Sequence, residues 1–388
     1  MDNVIAAAHA IYTDEQRMLL ENFRRMAEAE LAPHADEYEA LGRPPDAAAL
    51  KRLFARVEEF GLISGLIPEA DGGAGIDRLS YGILYEELAR VWPDLSVAVL
   101  IQSHAAFTLS LLGSPEQKEA YLRPLLRSER IACTCISEPD VGSNVREVKC
   151  RAEREGDRIF VSGQKLWISN GAQSDFAIVV CNLDGGMSMV IVDRETGKYE
   201  SRELRKLGLV GASTCELFFD RAETTSEHVL GQPGGGLFQT LKLFESARVF
   251  VGLTSVGIAQ AALECAVSYA KDRHQHGKPI AGHQLIQGYL ADMATQLDAA
   301  RLLCQRGLQL LELGVRCDTQ TSMAKWHATE MAVEITGKAV QIHGGNGITK
   351  EFPVERHFRN AKVMPIPDGT TEIQKLVIGR NLTGVGAF

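Results

Sequence analysis

The sequence lacks the features that mark several classes of protein. No apolar run reaches the roughly 18 residues needed to span a bilayer, and the N-terminal residues show neither the basic start nor the cleavage pattern of a secretory signal. The eight cysteines form no Cys-x-x-Cys pair, and only Cys133 and Cys135 lie close together. The net charge of −9 provides no general attraction to nucleic acid or to anionic membranes. We therefore expect a cytoplasmic protein with reduced thiols, no membrane segment and no nucleic-acid partner.

The composition is that of a large globular chain. Its 388 residues, 45% hydrophobic and 23% charged, are enough for two or three structural units with a sizeable core. Residues 1–126 carry apolar side chains at helical spacing, and Ser114 followed by Pro115 predicts the start of a helix. Residues 127–236 change to short alternating runs between Gly, Asn and Asp turns, as in an antiparallel barrel or sandwich.

From residue 237 to residue 388 the helical pattern returns in longer segments. One segment without proline exceeds thirty residues, and two further helices are predicted at about 282–312 and 318–343. Long antiparallel helices of this kind favour an up-down bundle. The expected organisation is therefore an N-terminal helical domain, a central β domain and a C-terminal helical domain.

Two stretches of the β region contain candidate binding residues. The sequence "ISEPDVGSN", residues 136–144, predicts a loop whose NH and hydroxyl groups could hold polar ligand atoms, although alone it is also typical of an ordinary turn. The sequence "KLWISNG", residues 165–171, lies in a predicted strand. Its Trp167 is either a core residue or a wall against a flat aromatic cofactor.

Two further stretches belong to the C-terminal region. In "YAKDRHQHGKPIAGHQ", residues 269–284, Arg273 could bind a phosphate or remain a solvated surface charge. His274 and His276 lack a metal-like partner spacing, so we predict no metal site. In "QIHGGNGITKEFPVERHFRN", residues 341–360, the glycines allow a phosphate or ribose to approach the backbone closely.

A fifth stretch, "MPIPDGTTEIQ", places Asp368 between a Pro-rich turn and a predicted helix. An aspartate before Gly-Thr-Thr-Glu fits the preference for a helix N-cap. The same carboxylate could instead be a catalytic base. The local sequence leaves both interpretations open.

In their order and spacing these stretches resemble the acyl-CoA dehydrogenase flavoprotein family over nearly the whole chain. The first pattern of that family normally ends in Gly-Ser-Asp, where this chain has Asn144, and the second pattern fits closely with Arg356 and Asn360. Arg273 lies 95 residues before Asp368, the separation that the family shows between its phosphate-binding arginine and its catalytic base. His276 replaces a usual Phe, which changes the expected packing over the cofactor.

The resemblance implies an α+β, mostly α fold with an N-terminal α-helical domain, a central β-barrel and a C-terminal four-helix bundle. It implies a homotetramer with FAD between barrel and bundle, an acyl-CoA substrate and an electron acceptor such as electron-transfer flavoprotein. The implied cofactor-binding residues are Ser137, Ser143, Trp167, Ser169, Arg273, Gln275, His276, Gln284, Gln341, Gly344, Gly345, Thr370 and Glu372. The implied substrate-binding residues are Ser143, Glu245, Arg248, Pro367 and Gly369. Arg273, Gln284 and the stretch 341–345 would reach FAD from a neighbouring subunit.

The resemblance also bears on the role of Asp368. The family usually has Glu in this slot, and the slot used by some members on a bundle helix, directly before the CoA-contacting arginine, holds Ala247 here. Asp368 is therefore the aligned base. Its side chain is one methylene shorter, about 1.5 Å, and an apolar site would raise its pKa from about 3.9. Pro367 stands where the family often has an aromatic residue, which reshapes the site further.

The expected function is FAD-dependent α,β-dehydrogenation of an acyl-CoA thioester. The aspartate base and Pro367 favour an alicyclic substrate, such as cyclohexanecarboxyl-CoA, or a branched one. The alternatives are a flavin oxidase of the same fold acting on a nitroalkane-like carbon acid, a dehydrogenase of acyl groups on a carrier protein, and a non-catalytic flavoprotein. The sequence does not fix the acyl chain, the electron acceptor or the pathway.

Overall fold

The computed structural model describes residues 10–387, so the prediction that the N-terminal lead lacks a signal concerns residues 1–9, outside the described part. The first region is helical, as predicted. Its helices are α1 (Asp14–Met26), α2 (Ala32–Leu41), α3 (Ala47–Glu58), α4 (Arg78–Val91), α5 (Pro93–Leu112), α6 (Pro115–Gln117) and α7 (Arg123–Leu126). Ser114 caps α6 in a capping box with Gln117, which confirms the predicted helix start.

The central region forms strands, again as predicted. They are β1 (Ala132–Cys135), β2 (Arg151–Glu155), β3 (Arg158–Ser169), β4 (Phe176–Leu183), β5 (Gly186–Asp193), β6 (Glu200–Glu203), β7 (Thr214–Thr225) and β8 (Val229–Leu230). These eight strands of the described chain make one sheet in the order β6-β7-β3-β2-β4-β5-β8, with β1 also paired to β4.

The expectation of a purely antiparallel sheet is wrong in one respect. The β1–β4 and β2–β4 pairs are parallel, and the other pairs are antiparallel. Parallel neighbours need a long connection between them. The β2–β3 hairpin lies between β1 and β4 in the chain and provides that connection.

The C-terminal region is a helical bundle. Its long helices are α8 (Gly236–Asp272), α9 (Gln284–Glu312), α10 (Asp318–His343) and α12 (Thr371–Thr383), with the shorter α11 (Val354–Val363) before the last of them. The bounds of α9 and α10 lie within two residues of those predicted. A four-residue helix, Arg194–Gly197, belongs to the sheet region.

Two hydrophobic cores organise the chain. One core joins α1, α3 and α4 to the bundle helices, so segments distant in sequence share one interior. The other core fills the sheet and receives side chains from α5 and α7. The chain changes from helices to strands between Leu126 and Ala132, and from strands back to helices between Leu230 and Gly236. That the segments bounded at residues 126 and 236 are separate domains stays a prediction.

Helices α5 and α8 are long and apolar enough to span a membrane by length and composition alone. Their apolar windows are 61% and 83% buried inside the molecule. The prediction that no uninterrupted apolar run reaches about 18 residues still holds for both helices, because polar residues interrupt each of them. Both are core helices of this fold.

Candidate active site

Asp368 lies in the turn between α11 and α12. Its φ of +54° places it in the left-handed region, which is uncommon for a residue with a side chain. Thr370, rather than Asp368, caps α12: its hydroxyl accepts from the Ile373 amide at 3.5 Å. The N-cap interpretation of Asp368 is therefore wrong, since a cap needs the extended backbone that Thr370 adopts.

Two cations face the Asp368 carboxyl. Burial raises its pKa above the ordinary range, and the charges of Lys325 and then Arg248 oppose that rise. Lys325 on α10 is fully buried, and burial lowers its pKa to about 8. The charge of Asp368 also contributes, after burial, to the raised pKa of Tyr85, so this phenol lies within the electric field of the carboxylate. A carboxyl whose pKa is raised in a cleft is a candidate general base.

Hydrogen bonds hold the Asp368 turn from the neighbouring helices. Lys325 Nζ donates to the carbonyl of Gly369 at 2.8 Å and to that of Pro365 at 3.4 Å. Gln374 Nε2 donates to the same Gly369 carbonyl at 2.8 Å and to the Asp368 carbonyl at 3.2 Å. The carbonyls around Asp368 are thus anchored while its carboxylate is left for other contacts.

Arg248 lies on α8 beside this turn. It is buried, and its Nε has no hydrogen-bond partner among the described residues. Burial lowers its pKa, and the charges of Asp318, Asp368 and Glu245 act against that change. Such a guanidinium is able to bind oxygen atoms of a ligand. Glu245, also predicted to contact substrate, accepts the Cys317 amide at 2.9 Å and therefore holds the start of α10.

The aromatic side chains that pack against Phe250, close to Arg248 on α8, were not identified from the sequence. Phe250, two residues after Arg248, packs edge-to-face on Tyr85 and Tyr81 with centroid distances of 5.2 and 5.4 Å. His104 on α5 packs edge-on against Phe250 at 6.2 Å. Its Nε2 is buried without a partner in the described chain, and burial lowers its pKa to about 4, so the imidazole is neutral at physiological pH. Helical spacing had indicated only a core face for these residues.

On the sheet, Trp167 is exposed. Its side chain is 61% accessible and its φ is +64°, at a bulge where the pairing of β3 with β7 shifts between Lys165 and Ile168. A β-bulge changes the direction of a side chain. Trp167 therefore turns away from the sheet interior, and the interpretation of this residue as core is wrong.

A buried ion pair joins the two candidate stretches of the β region. Lys165 Nζ lies 2.8 Å from Glu138 Oε1, and both side chains are buried. Glu138 also accepts the amides of Lys149 and Cys150 at 2.7 and 2.9 Å. The Leu166 amide donates to the Ser137 carbonyl at 2.9 Å. The loop 136–144 is thus fixed against the strand that carries Trp167, although sequence reasoning did not single out this pair.

The predicted serines of this region differ in exposure. Ser137 and Ser169 are partly exposed, and Ser143 is fully exposed on the loop. Asn144, which departs from the family pattern, accepts the Arg146 amide at 3.3 Å and caps the short 3₁₀ turn Val145–Glu147. The substitution therefore retains a local capping role.

The remaining cofactor candidates gather at the far end of the bundle. Tyr269, one turn before Arg273, stacks on His343 at 4.2 Å, and its hydroxyl accepts from Asn346 Nδ2 at 3.1 Å. This contact joins the end of α8 to the glycine stretch. The exposed candidates there are Arg273, Gln275, His276, Gln284, Gln341, Gly344 and Gly345.

The two ends of α8 are far apart. Arg248 and Arg273 are separated by 25 residues of the helix and its C-cap, which at 1.5 Å per residue is about 37 Å. The predicted site residues of one chain therefore form separate groups. The Arg273 group of a chain lies remote from its own Asp368.

No group of three or more His, Cys, Asp or Glu side chains within residues 10–387 is arranged to hold a metal ion. The eight cysteines are free thiols. Two surface cavities of about 370 and 430 Å³ are lined by residues outside the predicted site, beside Lys118 and beside Arg130.

Comparison with known proteins shows what this arrangement belongs to. Residues 13–129 match "Acyl-CoA dehydrogenase, N-terminal domain", residues 133–222 the middle domain and residues 234–383 the C-terminal domain. The chain belongs to the acyl-CoA dehydrogenase family. The catalytic type, an oxidoreductase acting on CH–CH bonds, and the three-part fold follow from this membership.

Among individual relatives of this acyl-CoA dehydrogenase, the cyclohex-1-ene-1-carbonyl-CoA dehydrogenase of Geobacter metallireducens is 37% identical over 95% of this chain and 98% of its own. The human mitochondrial short-chain specific acyl-CoA dehydrogenase is 36% identical over 96% and 92%. A solved glutaryl-CoA dehydrogenase of Mycobacterium smegmatis, in complex with FADH2, has a TM-score of 0.91 and 28% identity over 97% of this chain and 96% of its own.

FAD is the cofactor of this family, and the residues present fit it. Thr134 Oγ1, at the end of β1 before the Ser137 loop, is buried without a partner in the described chain and can bond a ligand. The exposed Trp167 ring can cover a flat ring system. Gly344 and Gly345 have no atom within 4 Å of where a Cβ would stand, so their backbone is open to a ligand. Thr134 was not among the predicted residues.

Proposed function

We propose that this acyl-CoA dehydrogenase removes the α-proton of an acyl-CoA thioester with Asp368 as the base. The observation that supports the proposal most is the position of Asp368: a half-buried carboxylate on an anchored turn, with a pKa that burial raises and that two buried cations oppose, and without a capping role. Arg248, buried with an unpartnered Nε, is suited to bind the substrate beside it. The alternative slot for a base holds Ala247, which cannot accept a proton.

Each residue then has a definite task. Asp368 takes the proton, and its raised pKa makes the carboxylate a stronger base than one in water. Bound FAD supplies the acceptor for the β-hydrogen. Trp167 and Ser169 would face the flavin ring, with Ser137 and Thr134 bonding to it from β1 and its loop. Thr370 and Glu372 would contact FAD just beyond the base.

We further propose an alicyclic or branched acyl group. The aspartate is shorter than the usual glutamate by about 1.5 Å, which leaves room for a bulky α-carbon substituent. The Geobacter metallireducens relative is named for an alicyclic thioester, which supports the same choice.

The proposed context follows from family membership. FAD would be completed by the Arg273 group of a neighbouring subunit, because this group lies about 37 Å along α8 from the chain's own Arg248. A homotetramer meets this need. Electron-transfer flavoprotein is the proposed acceptor and the cytoplasm the proposed location.

The test is anaerobic reduction of the bound flavin, which is monitored as the loss of its visible absorbance. The substrates are cyclohexanecarboxyl-CoA, isobutyryl-CoA and butyryl-CoA, each of which carries an α-proton, with a nitroalkane as the probe for oxidase activity. We expect the alicyclic thioester to react fastest. Bleaching by the nitroalkane alone would establish the oxidase alternative, and no bleaching by any thioester would reject the proposal.

A further inference from the structure

Lys325 is an unusual residue in the middle of α10. It is fully buried, yet no carboxylate within residues 10–387 forms an ion pair with it. Placing a charge in a protein interior is costly unless it is compensated. The Nζ instead donates to the carbonyls of Gly369 and Pro365, one on each side of Asp368.

These two bonds enclose the strained turn. Asp368 holds a left-handed backbone, and its neighbouring carbonyls are fixed by Lys325 from α10 and by Gln374 from α12. The Thr371 amide also donates to the Pro365 carbonyl at 3.1 Å. A residue in a sparsely populated conformation persists only when its surroundings determine it. The anchoring therefore fixes the direction in which the carboxylate leaves the turn.

We propose that Lys325 is a positioning residue for the base: it anchors the turn that presents Asp368 and supplies a buried positive charge opposite the carboxylate. The inference rests on the proposed role of Asp368. A neutral donor such as glutamine could satisfy a carbonyl, so the turn alone does not require an ammonium. The charge is useful because it favours the ionised form of the Asp368 carboxyl, which is the form that can accept a proton.

The charges around the pair are few. Lys325 faces Asp368, Glu330 and Glu372, which favour its protonated form, and Arg248, which disfavours it. Asp368 faces Lys325 and Arg248. The Glu330 carboxylate accepts the Thr371 hydroxyl at 2.6 Å. Two cations therefore act on the charge of the Asp368 carboxylate, and among the described residues Lys325 is the one of the two that also donates hydrogen bonds to its turn.

The main test is Lys325→Gln in the FAD-loaded enzyme. The pKa of Asp368 is read from its carboxyl infrared band, identified by difference from Asp368→Asn. Exchange of the substrate α-proton in D2O gives a second pH profile that reports the base without requiring flavin reduction. We expect both midpoints to rise by about one pH unit, because the charge of Lys325 opposes the rise in the pKa of Asp368 and a nearby opposite charge lowers a carboxyl pKa by about 1 to 3.

The matched control is Lys338→Gln, one lysine further along α10, whose partners are Asp292 and Glu334. It should leave both midpoints in place. A Lys325→Gln enzyme that is slower at every pH, with unmoved midpoints, would overturn the proposal and leave Lys325 a scaffold for the turn.

A reciprocal measurement covers the case in which Lys325→Gln does not fold. Removing the carboxylate in Asp368→Asn should lower the pKa of Lys325 further below about 8, measured by NMR of labelled lysine. An unchanged Lys325 pKa would overturn the coupling. Near-normal flavin reduction by Asp368→Asn would instead reject the proposed base, so the two failures are distinguishable.

Discussion

The backbone amide of Leu166 donates to the carbonyl of Ser137 at 2.9 Å, which joins the strand carrying Trp167 to the loop that follows β1. The buried pair of Lys165 and Glu138 lies directly beside this bond. One backbone hydrogen bond and one buried ion pair thus join the loop 136–144 to strand β3. The proposed cofactor face, which includes Ser137 and Trp167, depends on this junction.

Trp167→Ala should change the absorption spectrum of bound FAD and weaken its binding while hardly affecting stability. The ring is 61% exposed, so its removal creates no cavity; a core tryptophan would cost about 3–5 kcal/mol. The measurements are the flavin spectrum, FAD titration and urea unfolding. Phe238→Ala, at an aromatic ring 75% exposed on α8, is the control. An unchanged spectrum would mean that Trp167 does not contact the flavin.

Glu138→Gln should destabilise the protein and loosen the loop 136–144. It leaves the Lys165 ammonium buried without its partner, which typically costs about 3–5 kcal/mol. Glu138→Gln combined with Lys165→Met removes both charges and should recover part of that loss. Chemical denaturation of the wild type, both single variants and the double variant measures this coupling. Additive losses would show that the pair is not coupled.

Asp368→Asn should retain FAD and thioester binding while flavin reduction falls by a factor of at least about 10² to 10⁴, the usual contribution of a general base. The helix cap is undisturbed because Thr370 provides it. Asp368→Glu reports the substrate shape. With a ring as the acyl group Glu should hinder reaction and favour linear chains; with a straight chain it should match or exceed the wild type. Stopped-flow measurement of flavin reduction compares the wild type, Asp368→Asn and Asp368→Glu.

The rate of flavin reduction should rise with pH, and the midpoint of this rise should lie above the ordinary pKa of an aspartate. The base acts only when ionised, and burial raises the pKa of Asp368. The same shift has a stability consequence. Folding disfavours the ionised form, so the stabilisation present at low pH is lost as pH rises through the folded-state pKa, and Asp368→Asn should not show this loss. The rate of flavin reduction and the thermal denaturation temperature, each measured as a function of pH, test the predicted rise in rate and the predicted fall in stability.

Arg273→Ala should lose FAD and weaken subunit assembly together, because this group is proposed to complete a neighbour's cofactor site. Flavin content and analytical ultracentrifugation are the measurements. Lys271→Ala is the matched control, since Lys271 is an exposed cation two residues earlier on the same helix. Full flavin occupancy in Arg273→Ala would contradict the assignment.

Periodicity predicted the long elements well because a long helix averages over many residues. The bounds of α9 and α10 were correct within two residues, and the capping box at Ser114 gave a correct helix start. The parallel pairing of β1 with β4 could not be predicted from periodicity. Pairing depends on which strands meet in space, and alternation along one strand does not encode its partner.

The site was predictable in its residues and less so in their local roles. The sequence left Asp368 open as a helix cap, and the cap formed by Thr370 together with the left-handed backbone of Asp368 excludes that interpretation. The exposure of Trp167 depends on the bulge in β3. The sequence does not show this bulge or the change of register that it causes. Lys325, His104 and Thr134 were missed because a buried polar residue in an apolar pattern carries no sign of whether it is satisfied.

The length of α8 has a genetic consequence. On the proposed assembly, one polypeptide contributes its Asp368 to one catalytic centre and its Arg273 end, about 37 Å away along the helix, to another. A chain with Asp368→Asn still offers an intact Arg273, and a chain with Arg273→Ala still offers an intact base. Co-expressed, the two inactive alleles should complement each other, because mixed oligomers contain some centres built from two sound halves.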